Sequence, residues 1–431
     1  MTRPIAYDMV RLLLGPFSST PRGIDRIDFG FAASLFHDWP DDFVGIAPMA
    51  WGMRWFGRKK LIHGLERLDY FWRETMDRDN DAAYQRLKRF LADPAHPLAY
   101  KKPSSRMLAK VRGTVRFLDL ITRGPWSFGG TTLGLPVNSI YLNVGHYGLS
   151  VPRFLSWLEK RPDIVSVFMV HDVIPLETPE LVAPSTYTAH HAVMEAVIRY
   201  ANALIVPSEA TKVATLEELR RRGAREIPIY PVTLPINDAF ITPMAPDPDL
   251  AARPYFVICG AVEPRKNHML LLQLWRELVR KRGKDAPVLV IAGPPGFSSE
   301  PIMYYLRKCE ALKDHVHLAS GLSTPALRSV MAGARALLMP SFAEGFGLPP
   351  VEALTTGTPA ILSDIAAHRE AAGEYGIFLD PTDGPAWLRQ IEAMIDDNPV
   401  YVALREKISG FKPKTWPQYM KEIEEILLSI Q

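Results

Sequence analysis

The most informative stretch of the sequence covers residues 334–354 and reads ARALLMPSFAEGFGLPPVEAL. Its apolar first part, Ala334–Met339, is typical of a buried strand. Gly345 and Gly347 allow a tight turn and a close approach of a ligand to the backbone. The two prolines that follow suit the first turn of a helix. The stretch therefore predicts a strand, a glycine turn and a helix whose free backbone N–H groups can bind phosphate.

The alternation of strands and helices extends over nearly the whole chain. In the first half, apolar runs typical of strands cover Pro4–Val10, Phe43–Met49, Ser139–Val144, Val165–Val170, Ala203–Val206 and Ile227–Val232. In the second half, such runs cover Tyr255–Gly260, Val288–Ala292, Val316–Leu318, Ala334–Met339, Ala360–Leu362 and Ile377–Leu379. Helical patterns lie between many of these runs, so the sequence predicts doubly wound α/β layers of parallel strands.

A proline-dotted stretch divides the chain into two parts. Residues 233–254 break the alternation and end in the sequence MAPDPDLAARP, which has little apolar content. We predict an N-terminal domain over residues 1–232, a linker over 233–254 and a C-terminal domain over 255–414. An amphipathic helix over 415–431 is expected either to cross back onto the first domain or to cover the second.

The composition of the chain is that of an ordinary globular protein. Of its residues, 47% are hydrophobic and 23% are charged, which is typical of a globular protein. The length of 431 residues indicates two domains. The formal net charge of +3 gives no reason to expect a nucleic-acid partner. The two cysteines are too few for a disulfide framework or a metal site, so we expect a reducing, cytoplasmic compartment. No apolar run reaches the roughly 20 residues that span a bilayer.

Two carboxylates flank the glycine turn, and we expect both to reach the same cavity. Glu344 precedes the predicted helix, and Glu352 lies about one turn inside it. One of them can bind hydroxyls of a sugar ring, and the other can bind the diol of a ribose. Taken alone, two glutamates here would be expected only to cap the helix and face solvent. The neighbouring glycines, prolines and buried strand favour a ligand site instead.

This arrangement closely resembles the paired-glutamate signature of the retaining glycosyltransferases of family 4, in which seven residues separate the two Glu. The resemblance implies a GT-B fold, in which two Rossmann-like domains face each other across a cleft that binds the substrates. It also implies that Glu344 takes part in catalysis. The residues that the resemblance assigns to donor binding in this stretch are Glu352, Gly345, Phe346, Gly347 and Leu348.

A second motif of the family follows the first strand of the second domain and reads VEPRKNH over residues 262–268. Lys266 matches the family's diphosphate-binding lysine. The arginine that many members carry directly after the glycine of the strand is Ala261 here, so Arg265 is the candidate to supply that charge. Two cations before a helix N-terminus are unfavourable unless an anion compensates them, which by itself argues for a bound phosphate.

In the first domain the resemblance depends on shorter motifs. His171, in the His-Asp turn after a strand, matches the family's donor-contacting histidine; the alternative is a hydrogen bond within its own turn. Gly23 lies in a loop similar to the family's glycine loop, although any strand–helix turn can contain one glycine. Ser208 is interpreted as a helix N-cap. The candidate acceptor contacts are Arg26, Asn143 and His146.

Residues 101–123 depart from the α/β alternation. Apolar side chains are interleaved there at roughly helical spacing with basic ones, which are Lys101, Lys102, Arg106, Lys110, Arg112, Arg116 and Arg123. Two interpretations stay open. The segment is either a solvated helix face or a helix that lies on the anionic inner face of a membrane and makes the protein peripheral.

The resemblance implies transfer of a sugar from a nucleoside-diphosphate sugar to a saccharide or lipid-linked saccharide, with retention at the anomeric carbon. No Asp-x-Asp motif follows a strand as in metal-dependent transferases, so we expect Lys266 and Arg265 to stabilise the leaving diphosphate without a metal, and no further cofactor. The EPRKN form is similar to mannosyltransferases of bacterial surface polysaccharide pathways, which points to GDP-mannose. The residues themselves leave the sugar, the base and the acceptor open.

Two other classes of protein fit the sequence less well. An NAD-dependent oxidoreductase would need Gly-x-Gly-x-x-Gly directly after a strand, and neither Gly260-Ala-Val-Glu nor Gly293-Pro-Pro-Gly296 supplies it. A non-catalytic carbohydrate-binding protein of the same fold would have no need of Glu344, Glu352 and Lys266.

Overall fold

Two β-sheets, one in each half of the chain, organise the structure. The computed structural model describes residues 3–17, 23–38, 43–49, 52–73, 77–93, 113–117, 129–242, 244 and 246–430. Helices cover both sheets, so each half forms an α/β layer of the predicted kind.

Within the described residues, the first sheet has eight strands in the order β4-β3-β2-β1-β5-β6-β7-β8. Their bounds are β1 Ile5–Asp8, β2 Phe43–Met49, β3 Gly52–Gly57, β4 Gly130–Thr131, β5 Ile140–Asn143, β6 Val165–Met169, β7 Ala203–Val206 and β8 Ile229–Pro231. From β2 to β8 all neighbours are parallel. Successive residues of the central strands point to opposite faces, and both faces are buried beneath helices.

The second sheet has six parallel strands in the order β11-β10-β9-β12-β13-β14. Their bounds are β9 Tyr255–Cys259, β10 Val288–Ala292, β11 Val316–Leu318, β12 Leu337–Met339, β13 Ala360–Ser363 and β14 Ile377–Leu379. The chain leaves β9 toward β10 on one side and returns to β12 on the other. The carboxyl ends of β9 and β12 therefore flank a topological switch point, where open α/β sheets bind their ligands.

Helices connect the strands in both halves. In the first half they are α1 Val10–Leu14, α2 Gly23–Asp38, α3 Arg58–Arg73, α4 Ala82–Ala92, α5 Ile174–Glu177, α6 Pro184–Tyr200 and α7 Glu209–Arg221. After β8 they are α8 Asp238–Ile241, α9 His268–Arg282, α10 Glu300–Lys308, α11 Thr324–Gly333, α12 Leu348–Thr355, α13 Ala366–Ala372, α14 Gly384–Ala393, α15 Pro399–Ile408 and α16 Trp416–Ser429.

Strands β3 and β4 depart from the predicted parallel pattern. Both are antiparallel to their neighbours, and they extend the first sheet beyond β2. Only residues 50 and 51 separate β2 from β3. So short a connection can join antiparallel strands but leaves no room for the crossover that parallel strands need.

Two helices pack against the opposite half of the chain. The C-terminal helix α16 returns to the first half, where the Trp416 indole lies against Gly30 of α2 so closely that a Cβ there would overlap the ring. Conversely, α4 comes from the first half but contacts the second. Its Tyr84 hydroxyl donates to Asp247 at 2.8 Å, and Lys88 pairs with Asp249 at 2.6 Å. Both helices therefore tie the two halves together.

Candidate active site

The loops after β9 and β12 meet at the switch point of the second sheet. Pro264–Lys266 form a 3-10 turn, and the backbone N–H of Phe342 in the second loop donates to the carbonyl of Arg265 at 2.8 Å. This hydrogen bond joins the two loops, so the cations of one lie beside Glu344 of the other.

Glu344 is held between two cations in a buried cluster. Its Oε2 lies 2.8 Å from Arg265 Nη1, and its Oε1 accepts from Lys266 Nζ. Burial by itself would raise the pKa of Glu344, but Arg265 and Lys266 outweigh it and hold the pKa well below its usual range. Burial lowers the pKa of Lys266 despite its anionic partner. The carboxylate of Glu344 thus pairs with both cations that the sequence assigns to diphosphate binding.

The glycine turn opens a helix toward this cluster, as the sequence predicts. Gly347 has a φ of 95°, which favours glycine, and α12 begins at the next residue. The imidazole of His368 lies behind the turn, and its Cδ2 would be 3.3 Å from a Cβ at Gly347. Phe346 is buried and Leu348 packs against the core, so their backbone positions the N-terminus of α12. Because Pro349 and Pro350 have no N–H, the backbone donors that this end of the helix can offer an anion are those of Gly347 and Leu348.

Gly345 is one of the points at which the second domain touches the first. A Cβ at this position would lie 2.5 Å from the carbonyl oxygen of His171. The Gly345 carbonyl accepts from Ser208 Oγ and from Thr211 Oγ1, both at 2.8 Å. Ser208 also accepts from the backbone N–H of Thr211 at 3.0 Å and so caps α7 as predicted. Only glycine permits this close approach.

Both glutamates were expected to reach one cavity, but the structure places Glu352 away from the cavity that Glu344 lines. A cavity of about 260 Å³ lies between the halves and is lined by Glu344 but not by Glu352. Glu352 instead binds Arg26 of α2, with 2.8 Å between Oε1 and Nη1. Arg26 lines a separate cavity of about 420 Å³ that also contacts Trp416. The difference arises because Glu352 lies inside the helix, where its buried side chain is directed to the cation of the first domain.

Opposite Glu344, the wall of the 260 Å³ cavity comes from the His-Asp turn and from α6. Asp172 and His190 line the cavity, and His171 lies directly behind its Gly345 edge. His171 Nε2 lies 2.8 Å from the carbonyl of Val144; since a carbonyl only accepts, Nε2 carries the proton. Burial lowers the pKa of His171 to about 4, so the ring is neutral near pH 7. Its Nδ1 is then a hydrogen-bond acceptor.

The remaining first-domain candidates lie behind this wall or away from it. Asn143 Oδ1 accepts from the backbone N–H of His146 at 2.9 Å, and both side chains are buried. The His146 ring packs against His171 and His190, with centroids 6.0 and 5.2 Å apart. Neither Asn143 nor His146 lines the 260 Å³ cavity. Gly23 is the first residue of α2, and a Cβ there would meet nothing within 4 Å.

His190 is one of the cavity residues that the sequence analysis missed. It lies in the middle of α6, where a single histidine in a helical pattern gives no signal. Its position relative to Asp172 and Glu344 depends on the packing of α6 beside the His-Asp turn, which no local pattern encodes.

Neither a metal-binding cluster nor a membrane-spanning helix occurs among the described residues. In that part of the chain, no three His, Cys, Asp or Glu side chains are arranged to hold a metal ion. No helix within the same ranges is both long and apolar enough to cross a bilayer. Of the basic segment, only residues 113–117 belong to the described part, and there the Arg116 guanidinium lies 5.2 Å from the centre of the Phe71 ring. The other residues of 101–123 lie outside it, so the membrane interpretation stays a prediction.

Two α/β domains that face each other across a cleft define the GT-B class of glycosyltransferase folds. Anabaena Alr3699/HepE, solved in complex with UDP and glucose, has this fold with a TM-score of 0.60 and 16% identity, over 99% of this chain and 100% of HepE. Sucrose-phosphate synthase from Thermosynechococcus elongatus gives a TM-score of 0.59 at 15% identity over the full length of both. These similarities confirm the predicted fold class.

The family model of the group 1 glycosyl transferases matches residues 248–410. This match covers most of the second domain and confirms its resemblance to glycosyltransferases. The serotype-specific mannosyltransferase WbdA of Escherichia coli is 28% identical over 247 residues, which are 54% of this chain and 30% of WbdA. The O-antigen chain mannosyltransferase B of the same organism is 28% identical over 184 residues, 42% of this chain and 48% of the relative. The chain thus spans less than half the length of these relatives.

Proposed function

We propose that this protein is a retaining, metal-independent glycosyltransferase that uses GDP-mannose and transfers mannose to a saccharide or lipid-linked saccharide. The observation that carries the proposal is the buried Glu344–Arg265–Lys266 cluster at the N-terminus of α12. The similarity to O-antigen mannosyltransferases supports both the choice of sugar and a role in surface polysaccharide synthesis.

The charges of the cluster suit a ligand that carries both a diphosphate and a sugar. When the diphosphate binds beside the helix N-terminus, it replaces the carboxylate as the partner of Arg265 and Lys266. Glu344 is then free to accept hydrogen bonds from hydroxyls of the donor sugar. As the glycosidic bond opens, negative charge grows on the leaving diphosphate, and the two cations stabilise it in a site with little water.

The first domain completes the donor site in this proposal. The neutral His171 presents Nδ1 as an acceptor for a further sugar hydroxyl. Glu352 holds the ribose diol, for which it has to give up part of its contact with Arg26. Retention follows if the acceptor attacks from the face that the diphosphate leaves.

The experiment measures release of GDP from GDP-mannose, with and without added acceptor, in buffer that contains excess EDTA. We expect turnover and GDP affinity to change by less than twofold when Mg²⁺ or Mn²⁺ is supplied, and NMR should show an α-linked product from the α-linked donor. A strict metal requirement would contradict the proposed role of the two cations. GDP binding without any release from the donor would identify a non-catalytic protein of this fold.

A further inference from the structure

One polar corner of the 260 Å³ cavity has no role in the donor site described above. His190 of α6 and Asp172 of the His-Asp turn form this corner on the first-domain wall, across from Arg265 and Glu344. The two side chains are partly exposed to the cavity, with 17% and 29% of their surfaces accessible. They are therefore positioned to contact a ligand that enters from solvent.

The hydrogen bonds of the corner fix the orientation of both groups. His190 Nδ1 lies 3.1 Å from the carbonyl of Thr186, one helical turn earlier, and must donate to it. Asp172 Oδ1 accepts from the backbone N–H of Ile174 at 3.2 Å, which anchors the carboxylate in its turn. The second ring nitrogen, His190 Nε2, is consequently directed toward Asp172.

The distance between these two groups leaves a position for one additional oxygen. Nε2 and Oδ1 are 3.9 Å apart, which is too long for a direct hydrogen bond. If an oxygen atom lay about 2.8 Å from both Nε2 and Oδ1, the angle Nε2–O–Oδ1 at that oxygen would be about 90°. A hydroxyl has one proton to donate and two lone pairs. It can thus bridge the pair by donating to the carboxylate and accepting from a protonated Nε2, or it can donate to Nε2 directly.

The rest of the cavity favours a sugar hydroxyl over water alone. Phe297 lines the same cavity from the second domain and is 39% exposed, so its ring is accessible to a ligand there. An exposed aromatic face beside paired polar groups suits a pyranose ring, which has an apolar face and a rim of hydroxyls. Glu344 lies on the opposite wall, where the proposed function places the donor sugar.

We propose that His190 and Asp172 bind a hydroxyl of the saccharide acceptor and so hold the acceptor against the donor sugar. The inference depends on the proposed function, because it assigns the acceptor side of the same cleft. His190 contacts the acceptor and not the donor, so its loss impairs transfer to the acceptor and spares hydrolysis of the donor.

The test compares His190→Ala, His190→Gln and the control His191→Ala. His191 is the next residue of α6, but its ring contacts Arg222 and Tyr187 and does not line the cavity. GDP-mannose is the donor, and the acceptor is the best of a panel of methyl glycosides that includes methyl α-mannoside. GDP release is measured with and without that acceptor. We expect His190→Ala to raise the acceptor KM or lower transfer at least tenfold, while hydrolysis without acceptor and GDP affinity stay within twofold.

The two comparison variants separate binding from packing. Glutamine can place an amide group near the Nε2 position, so His190→Gln should recover part of the loss, and His191→Ala should match the unmodified protein. Equal losses of hydrolysis and transfer in His190→Ala, or no loss of either, would overturn the inference. A protein that hydrolyses the donor but responds to no glycoside in the panel would also overturn it. A protein that neither binds GDP nor hydrolyses the donor would contradict the proposed function itself.

Discussion

Replacing Glu344 by glutamine should tighten the binding of nucleoside diphosphate while it slows sugar transfer. The carboxylate bonds to both Arg265 and Lys266, so a diphosphate that binds these cations has to compete with it. Glutamine is nearly the same size but has no charge, so Lys266 loses its carboxylate partner and Arg265 keeps only the longer contact with Glu263. The diphosphate can then bind the two cations without first breaking their bonds to the carboxylate of Glu344.

The magnitude follows from the bonds that are exchanged. A hydrogen bond to a charged group contributes about 1.5–3 kcal/mol. If the unmodified protein gives up one such bond when GDP binds, its loss in advance should lower the Kd of GDP by about 10- to 150-fold in Glu344→Gln. If the same carboxylate binds the donor sugar during reaction, kcat should fall by roughly one to two powers of ten. Because the variant removes the carboxylate that pairs with the buried Lys266, its melting temperature should also fall.

The assay is calorimetric titration of GDP beside kcat measured at saturating GDP-mannose. Glu310→Gln is the control, since it removes one negative charge from an exposed pair with Lys313 far from the cleft and should change neither quantity. Weaker GDP binding by Glu344→Gln would refute the competition between carboxylate and diphosphate. An unchanged kcat would refute the assignment of Glu344 to the donor sugar.

Three further predictions concern the two domains and their contact. Glu352→Gln should raise the Kd of GDP about tenfold while kcat at saturating donor changes less, as measured by the same titration and assay, because the lost charge-assisted bond is to the ribose. Gly345→Ala should lower transfer and expand the protein in small-angle scattering, since its Cβ would lie 2.5 Å from the His171 carbonyl; unchanged scattering would contradict this. Burial raises the pKa of Asp28 to about 7, so between about pH 4 and pH 7 its carboxyl group is protonated in the folded state and ionised in the unfolded state. The contribution of this group to the free energy of unfolding therefore falls as the pH rises through that range. Asp28→Asn should remove about 1.4 kcal/mol per pH unit of that decline in urea unfolding, and an unaltered slope would refute it.

The elements that the sequence predicts correctly are those encoded by neighbouring residues. The apolar runs of the second domain become β9 to β14 within a few residues of their expected bounds. The glycine turn, the prolines and the helix after it follow from backbone preferences that act over a few positions, so Gly347 and the start of α12 could be read directly. Parallel strands in turn bring the loops after β9 and β12 to one edge, which is why Lys266 and Glu344 could be expected to lie together.

The tertiary structure decided which partner each of these groups has. Nothing near Glu352 in the sequence indicates its ion pair with Arg26, which is more than 300 positions away, and nothing near Gly345 indicates the His171 carbonyl against it. His190 enters the cavity only because α6 packs beside the His-Asp turn. Likewise, α4 and α16 have clear helical patterns, yet an amphipathic pattern shows that a helix buries one face without specifying the surface that covers it. Periodicity and turn chemistry act along the chain, whereas the choice of partner depends on packing between segments that are distant in sequence.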